Sequence, residues 1–108
     1  MPSDIQVAVS NEGDVRVVAV QGTVDLESSP KLQKDIQQAL NGALSLAIDL
    51  SGVGYIDSSG IATLVQALKL AKKSNVEMRL RNPATRVLAV LKMAHLTKLF
   101  TIDQPEAG

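Results

Sequence analysis

Strand-like and helix-like stretches take turns along this chain, and that alternation limits its fold more than any other feature. Ile5-Gln6-Val7-Ala8-Val9 alternates apolar with polar or small residues, the period of a half-buried strand. Asn11-Glu12-Gly13-Asp14 is turn chemistry, and the β-branched run Val15 to Val20 is a second strand, so the two form a hairpin. Gly22-Thr23-Val24-Asp25 leaves that strand as a loop. Ser28-Ser29-Pro30 opens a helix, with Ser29 as cap and Pro30 at the first helical position. Leu32, Ile36, Ala39 and Leu40 recur at helical spacing, and Asn41-Gly42 stops the run.

Leu46 to Leu50 is apolar except for Asp49, as a central strand buried on both faces is. Gly52-Val53-Gly54 reads as a flexible loop into the next helix, Ile61 to about Lys73. Its apolar stripe is Ile61, Leu64, Val65, Leu68 and Ala71, with Lys69, Lys72 and Lys73 on a solvated face. After a break at Asn75, Val76 to Leu80 alternates as a strand. Asn82-Pro83 opens a third helix whose apolar face is Val87, Leu88, Leu91 and Met93. Leu99 to Ile102 is a short last strand, and Asp103 to Gly108 a frayed tail. The order β-β-α-β-α-β-α-β predicts an α/β fold: a mixed, largely parallel sheet flanked by helices, in one domain over residues 1–108.

Composition removes several functions. Aromatic residues are 2% of the chain, Tyr55 and Phe100 alone, too few for a surface that stacks bases. Eleven basic residues balance eleven acidic ones, without the excess that direct nucleic-acid binding uses. The absence of cysteine excludes disulfides and thiolate metal sites and fits a reducing compartment. No apolar run approaches the ~20 residues of a membrane span. Met1-Pro2-Ser3-Asp4 lacks the basic and apolar regions of a signal peptide, so a cytoplasmic location without membrane insertion is expected.

Catalytic chemistry is sparse. The one histidine, His95, stands late in the third helix, where the dipole favours it as an end residue rather than a base. Gly52-Val53-Gly54 lacks the third glycine of a dinucleotide fingerprint. Asp25, Asp49 and Asp57 are carboxylates at strand ends that suit Mg²⁺ in principle. Their plainer role is to accept hydrogen bonds from loop amides, so neither metal nor cofactor is expected. That leaves Asp57-Ser58-Ser59-Gly60, a carboxylate and two hydroxyls where a helix begins. A helix N-terminus tolerates a phosphate well. Asp and Ser are also ordinary caps, and no Glu or Gln stands three residues after either serine to close a capping box. If one serine caps, the other hydroxyl is surplus beside a small glycine. A phosphate there adds about −1.5 to −2 charges.

The stretch Ala47-Ile48-Asp49-Leu50-Ser51-Gly52-Val53-x-Tyr55-Ile56-Asp57-Ser58-Ser59-Gly60-Ile61 resembles the signature of STAS domains, most closely that of bacterial anti-sigma factor antagonists. Gly22-Thr23-Val24-Asp25, Pro83-Ala84-x-x-Val87-Leu88 and Leu96-x-x-Leu99-Phe100 extend the resemblance over nearly the whole chain. It implies a small mixed sheet flanked by helices. It also implies a switch: an anti-sigma factor that is a serine kinase phosphorylates Ser58, the unphosphorylated form binds that kinase, and a serine phosphatase resets it. Asp25, Asp57, Ser58, Ser59 and Gly60 then lie at the partner surface, with Ser59 as cap or neighbour, and the chain is not an enzyme. Two alternatives accompany the resemblance. One is an accessory subunit of an ABC lipid transporter, suggested by Leu68-x-Leu70-Ala71-Lys72-Lys73. The other is a weak nucleotide site near Asp25 and Ser58.

Overall fold

A computed structural model describes residues 5–104. Met1 to Asp4, where the signal-peptide question falls, and the tail from Pro105 lie outside the described residues. The elements are β1 (Ile5–Glu12), β2 (Val15–Val24), α1 (Ser29–Leu40), β3 (Ser45–Ile56), α2 (Ser58–Lys73), β4 (Glu77–Arg81), α3 (Thr85–Met93) and β5 (Thr101–Asp103). The five strands form one sheet in the order β1-β2-β3-β4-β5. β1 and β2 are antiparallel and every other pair is parallel. The turn Gly13-Asp14 closes the hairpin, with a positive φ at Gly13 alone, the conformation of a type II′ turn.

Each helix joins neighbouring parallel strands laid down in one direction across the sheet. Right-handed crossovers then put all three on one face. The core agrees with this. It holds Val18, Val20, Leu46, Ile48, Leu50, Met78 and Leu80 from the strands, together with Leu32 and Ile36 of α1, Leu64 and Leu68 of α2, and Val87 and Leu91 of α3. In register, Val18, Ile48 and Leu80 lie side by side on that face. The opposite face bears charge: Arg79 pairs with Glu77 and Asp103, and Arg81 reaches Glu12 at 3.1 Å. Donating hydrogen bonds to Glu77 and then to Asp103 holds the Arg79 guanidinium still more firmly in its charged form. Arg16 donates to the carbonyls of Ala39 and Asn41 at 2.8 and 2.7 Å, tying the C-terminal end of α1 to the sheet.

Several boundaries differ from the sequence reading, each for a local reason. β1 continues past Val9 to Glu12, carried by its ladder with β2 rather than by its apolar pattern. β2 reaches Val24, so Gly22 to Val24 is strand, not loop. β3 runs on to Ile56 and includes Gly52-Val53-Gly54. It slips against β2 between Ala19 and Gln21 and again between Gly22 and Thr23, with an extra β3 residue each time. The bulges bury Leu50, Val53 and Ile56 at intervals of three, a spacing that does not resemble a strand's period of two. α3 begins after Pro83, at Thr85, and Met93 is 81% exposed rather than part of the core. His95 lies just beyond the α3 cap residue Ala94, at φ 58°, and closes the turn by donating its N–H to the Lys92 carbonyl. β5 starts at Thr101 and takes in Asp103, which pairs with Arg81 instead of fraying.

These assignments predict a contrast in stability. Ile48→Ala should lose about 2–5 kcal/mol in equilibrium urea unfolding, the range for emptying a core site. Met93→Ala should stay within about 0.5 kcal/mol of the parent, as an exposed substitution does.

Candidate functional site

The ends of β2 and β3 build the site. Thr23 pairs with Tyr55 and Val24 with Ile56, and the Asp57 N–H donates to the Val24 carbonyl at 3.0 Å. This seam sets the turn after β2, which carries Asp25, beside the first turn of α2. Asp57 is the cap of α2. Its backbone is extended, φ −106° and ψ −171°, and its Oδ1 accepts from the amides of Ser59 at 2.8 Å and Gly60 at 3.1 Å. The Asp57 carbonyl accepts from the Ile61 N–H.

Neither serine is the cap. Ser59 is half-buried inside the first turn, and its carbonyl accepts from the Thr63 hydroxyl. Ser58 is exposed, the first helical residue, and its hydroxyl has no hydrogen-bond partner among the described residues. A helix beginning at Ser58 rather than Ile61 also turns its buried stripe. Gly60, Thr63, Leu64, Ala67, Leu68 and Ala71 face inward, while Ile61 and Val65 are half-buried. Gly60 is where the helix meets the seam. A Cβ there would lie 2.5 Å from Cγ1 of Ile56 and 2.6 Å from Cγ1 of Val24.

Asp25 organises the neighbouring turn. Its Oδ1 accepts from the amides of Glu27 and Ser28, both at 3.1 Å, and from the Ser28 hydroxyl. Ser28 is the residue before α1, yet its side chain does not cap that helix. It turns back, accepting from the Asp25 amide and reaching the Thr23 carbonyl. Ser29, expected as the cap, lies within the first turn and donates its hydroxyl to the Asp25 carbonyl. Pro30 does stand in that turn.

Asp25, Asp57, Ser58, Ser59 and Gly60 are thus gathered at one end of the sheet. Asp49 is not with them. It lies eight residues before Asp57 in β3, on the order of 20 Å away at strand rise, and accepts from the Ser51 amide. Among the described residues no three His, Cys, Asp or Glu side chains converge as a metal site. Two exposed apolar side chains belong to the same segments, Leu26 at 74% and Tyr55 at 54%. The sequence reading passed over Leu26. The signal was there: a leucine between Asp25 and Glu27 that fits no strand or helix period.

The first turn of α2 is also less ready for a phosphate than a bare helix end. Asp57 already occupies the amides of Ser59 and Gly60 and puts a negative charge there. A phosphate on Ser58 would compete with that carboxylate or stay in water.

The arrangement has relatives. The family described as "STAS domain" matches residues 6–107. The anti-sigma-B factor antagonist of Bacillus subtilis (strain 168) is 28% identical over 98 residues, 91% of this chain and 89% of that protein. The crystal structure of an anti-sigma factor antagonist from Mycobacterium paratuberculosis superposes with a TM-score of 0.80 at 29% identity, covering 97% of this chain and 90% of that one. SpoIIAA of Bacillus, an anti-sigma factor antagonist in its unphosphorylated form, shares the fold at a TM-score of 0.76 and 15% identity, over 92% of this chain and 89% of its own.

The packing at the seam sets an order of stabilities. Gly60→Ala should destabilise by about 1–3 kcal/mol through overpacking, outweighing the ~1 kcal/mol that alanine gains in a helix. Asp57→Ala should cost about 0.5–2 kcal/mol as a lost cap. Ser59→Ala should change little, and thermal or urea unfolding of the three variants checks the ranking.

Proposed function

Because the chain belongs to the STAS domain family, we propose that it acts as an anti-sigma factor antagonist, a binding protein switched at Ser58 and not an enzyme. The unphosphorylated chain docks on an anti-sigma factor that is a serine kinase, and the sigma factor is released. The kinase transfers a phosphate to the Ser58 hydroxyl, docking ends, and a serine phosphatase restores the first state. The chain works in the cytoplasm as one domain, without cofactor, nucleic acid or membrane insertion.

The observation that carries this reading is the exposed Ser58 hydroxyl beside a cap that does not need it. Asp57 holds the helix end, so Ser58 can be modified without unmaking α2. Gly60 lets the first turn of α2 seat closely on Ile56 and Val24, which fixes where the Ser58 hydroxyl stands at the surface. Leu26 and Tyr55 supply apolar contact around it, and Asp25, Asp57, Ser58, Ser59 and Gly60 form the centre of the docking face. A phosphate there is a dianion beside the Ser59 and Gly60 amides, which Asp57 already holds. Docking would strip its water and leave it unpaired, at a cost of several kcal/mol. The relatives from Bacillus subtilis and Mycobacterium paratuberculosis are named anti-sigma factor antagonists, which favours this over a transporter accessory role. Co-purification with a kinase-like anti-sigma factor rather than an ABC subunit would separate the two.

Binding to candidate anti-sigma factors from the same cell tests the switch. Ser58→Asp should weaken binding by about 100-fold, roughly 2.7 kcal/mol. Ser58→Ala should bind like the parent while accepting no phosphate in a kinase assay read by mass mapping. Equal binding by both variants would refute the switch.

A further inference from the structure

The free edge of β1 is built unlike the edges that monomeric proteins protect. An exposed strand edge offers unpaired N–H and C=O groups to other chains, and proteins blunt it with proline, lysine, a bulge or brevity. β5, at the other edge, is three residues long. β1 has eight residues, no proline, no lysine or arginine, and an unbroken register with β2 from Ile5 to Glu12. Its one charged residue, Glu12, stands at the end and is engaged by Arg81.

The strand is also bare on its helix-side face. Val9 shares that face with Ile5 and Val7, yet it is 51% exposed. α1 stands back from it and leaves a cleft of about 440 Å³, lined by Val7, Val9, Arg16, Lys31 and Asp35 among others. The cleft does not include the Ser58 turn, so the inference does not rest on the proposed function.

We propose that β1 pairs with β1 of a second copy of this chain, antiparallel about a two-fold axis, so that the two sheets become one. The charges select a second copy over a foreign strand. Antiparallel self-pairing sets Glu12 of one strand across from Ile5 of the other, and the middle residues Val7, Ala8 and Val9 carry no charge. On α1, Lys31 and Asp35 line the same cleft one turn apart, 2.7 Å from each other. The two-fold makes the α1 helices antiparallel, so Lys31 of each copy is offered to Asp35 of the other. Such a surface complements itself, as an isologous interface requires. Val7 and Val9 of both copies close an apolar strip beneath those charges.

Sedimentation equilibrium of the purified chain from about 1 μM to about 1 mM tests the pairing. The mass should rise from that of one chain to twice that value. Val9→Lys should weaken the dimer at least about tenfold, with the thermal unfolding of the dilute protein unchanged to show that the fold survives. Lys31→Asp should weaken it, and Lys31→Asp with Asp35→Lys should restore it. A single-chain mass throughout overturns the proposal, as does a dimer indifferent to Val9→Lys. A charge swap that fails to restore the dimer overturns the two-fold arrangement.

Discussion

The site hangs on the seam between the last residues of β2 and β3. Val24 and Ile56 pair there, the Asp57 N–H closes on the Val24 carbonyl, and Gly60 rests on both side chains. The contact fixes where α2 begins. It also fixes the angle at which the first turn leaves the sheet and sets the Asp25 turn beside it. The two bulges in β3 are what allow it, since they rotate Val53 and Ile56 back to the helix side after Leu50. Without them one of these apolar side chains would face away from the core.

The division of labour at this end follows from hydrogen bonding. Asp25 and Asp57 each satisfy two backbone amides, so the two turns are held by bonds within the chain. The hydroxyl of Ser58 is left outside that network. A carboxylate that caps and a hydroxyl that does not are separate functions on adjacent residues. Chemistry at the second can then change surface charge while the helix stays in place. This suits the proposed switch at Ser58.

Much of the fold was legible because its signals are local. The element order, the hairpin turn and the inward residues Leu32, Ile36, Ala39 and Leu40 of α1 follow from period and turn chemistry. What escaped depended on pairing between distant segments. Val53 and Ile56 look like residues between a strand ending at Leu50 and a helix starting at Ile61 until β2 supplies a partner with a different count. The cap of α2 was hidden by abundance, as three residues able to cap stand in a row and only the backbone conformation selects Asp57. Met93 fits the helical period but is the last residue of α3 and lies exposed there. The site residues themselves were legible as a group, because their chemistry is concentrated where the rest of the chain has little. Leu26 was missed for the opposite reason: an exposed leucine carries no period.

The most direct measurement of the central claim is amide shift mapping of the ¹⁵N-labelled chain titrated with a candidate anti-sigma factor. The account predicts that the perturbed amides centre on residues 23–27 and 55–61, and that titrating chain phosphorylated at Ser58 leaves them unmoved while the rest of its spectrum remains that of the folded protein. Perturbations centred on α3 or on the charged face of the sheet, or undiminished binding by the phosphorylated chain, would contradict it.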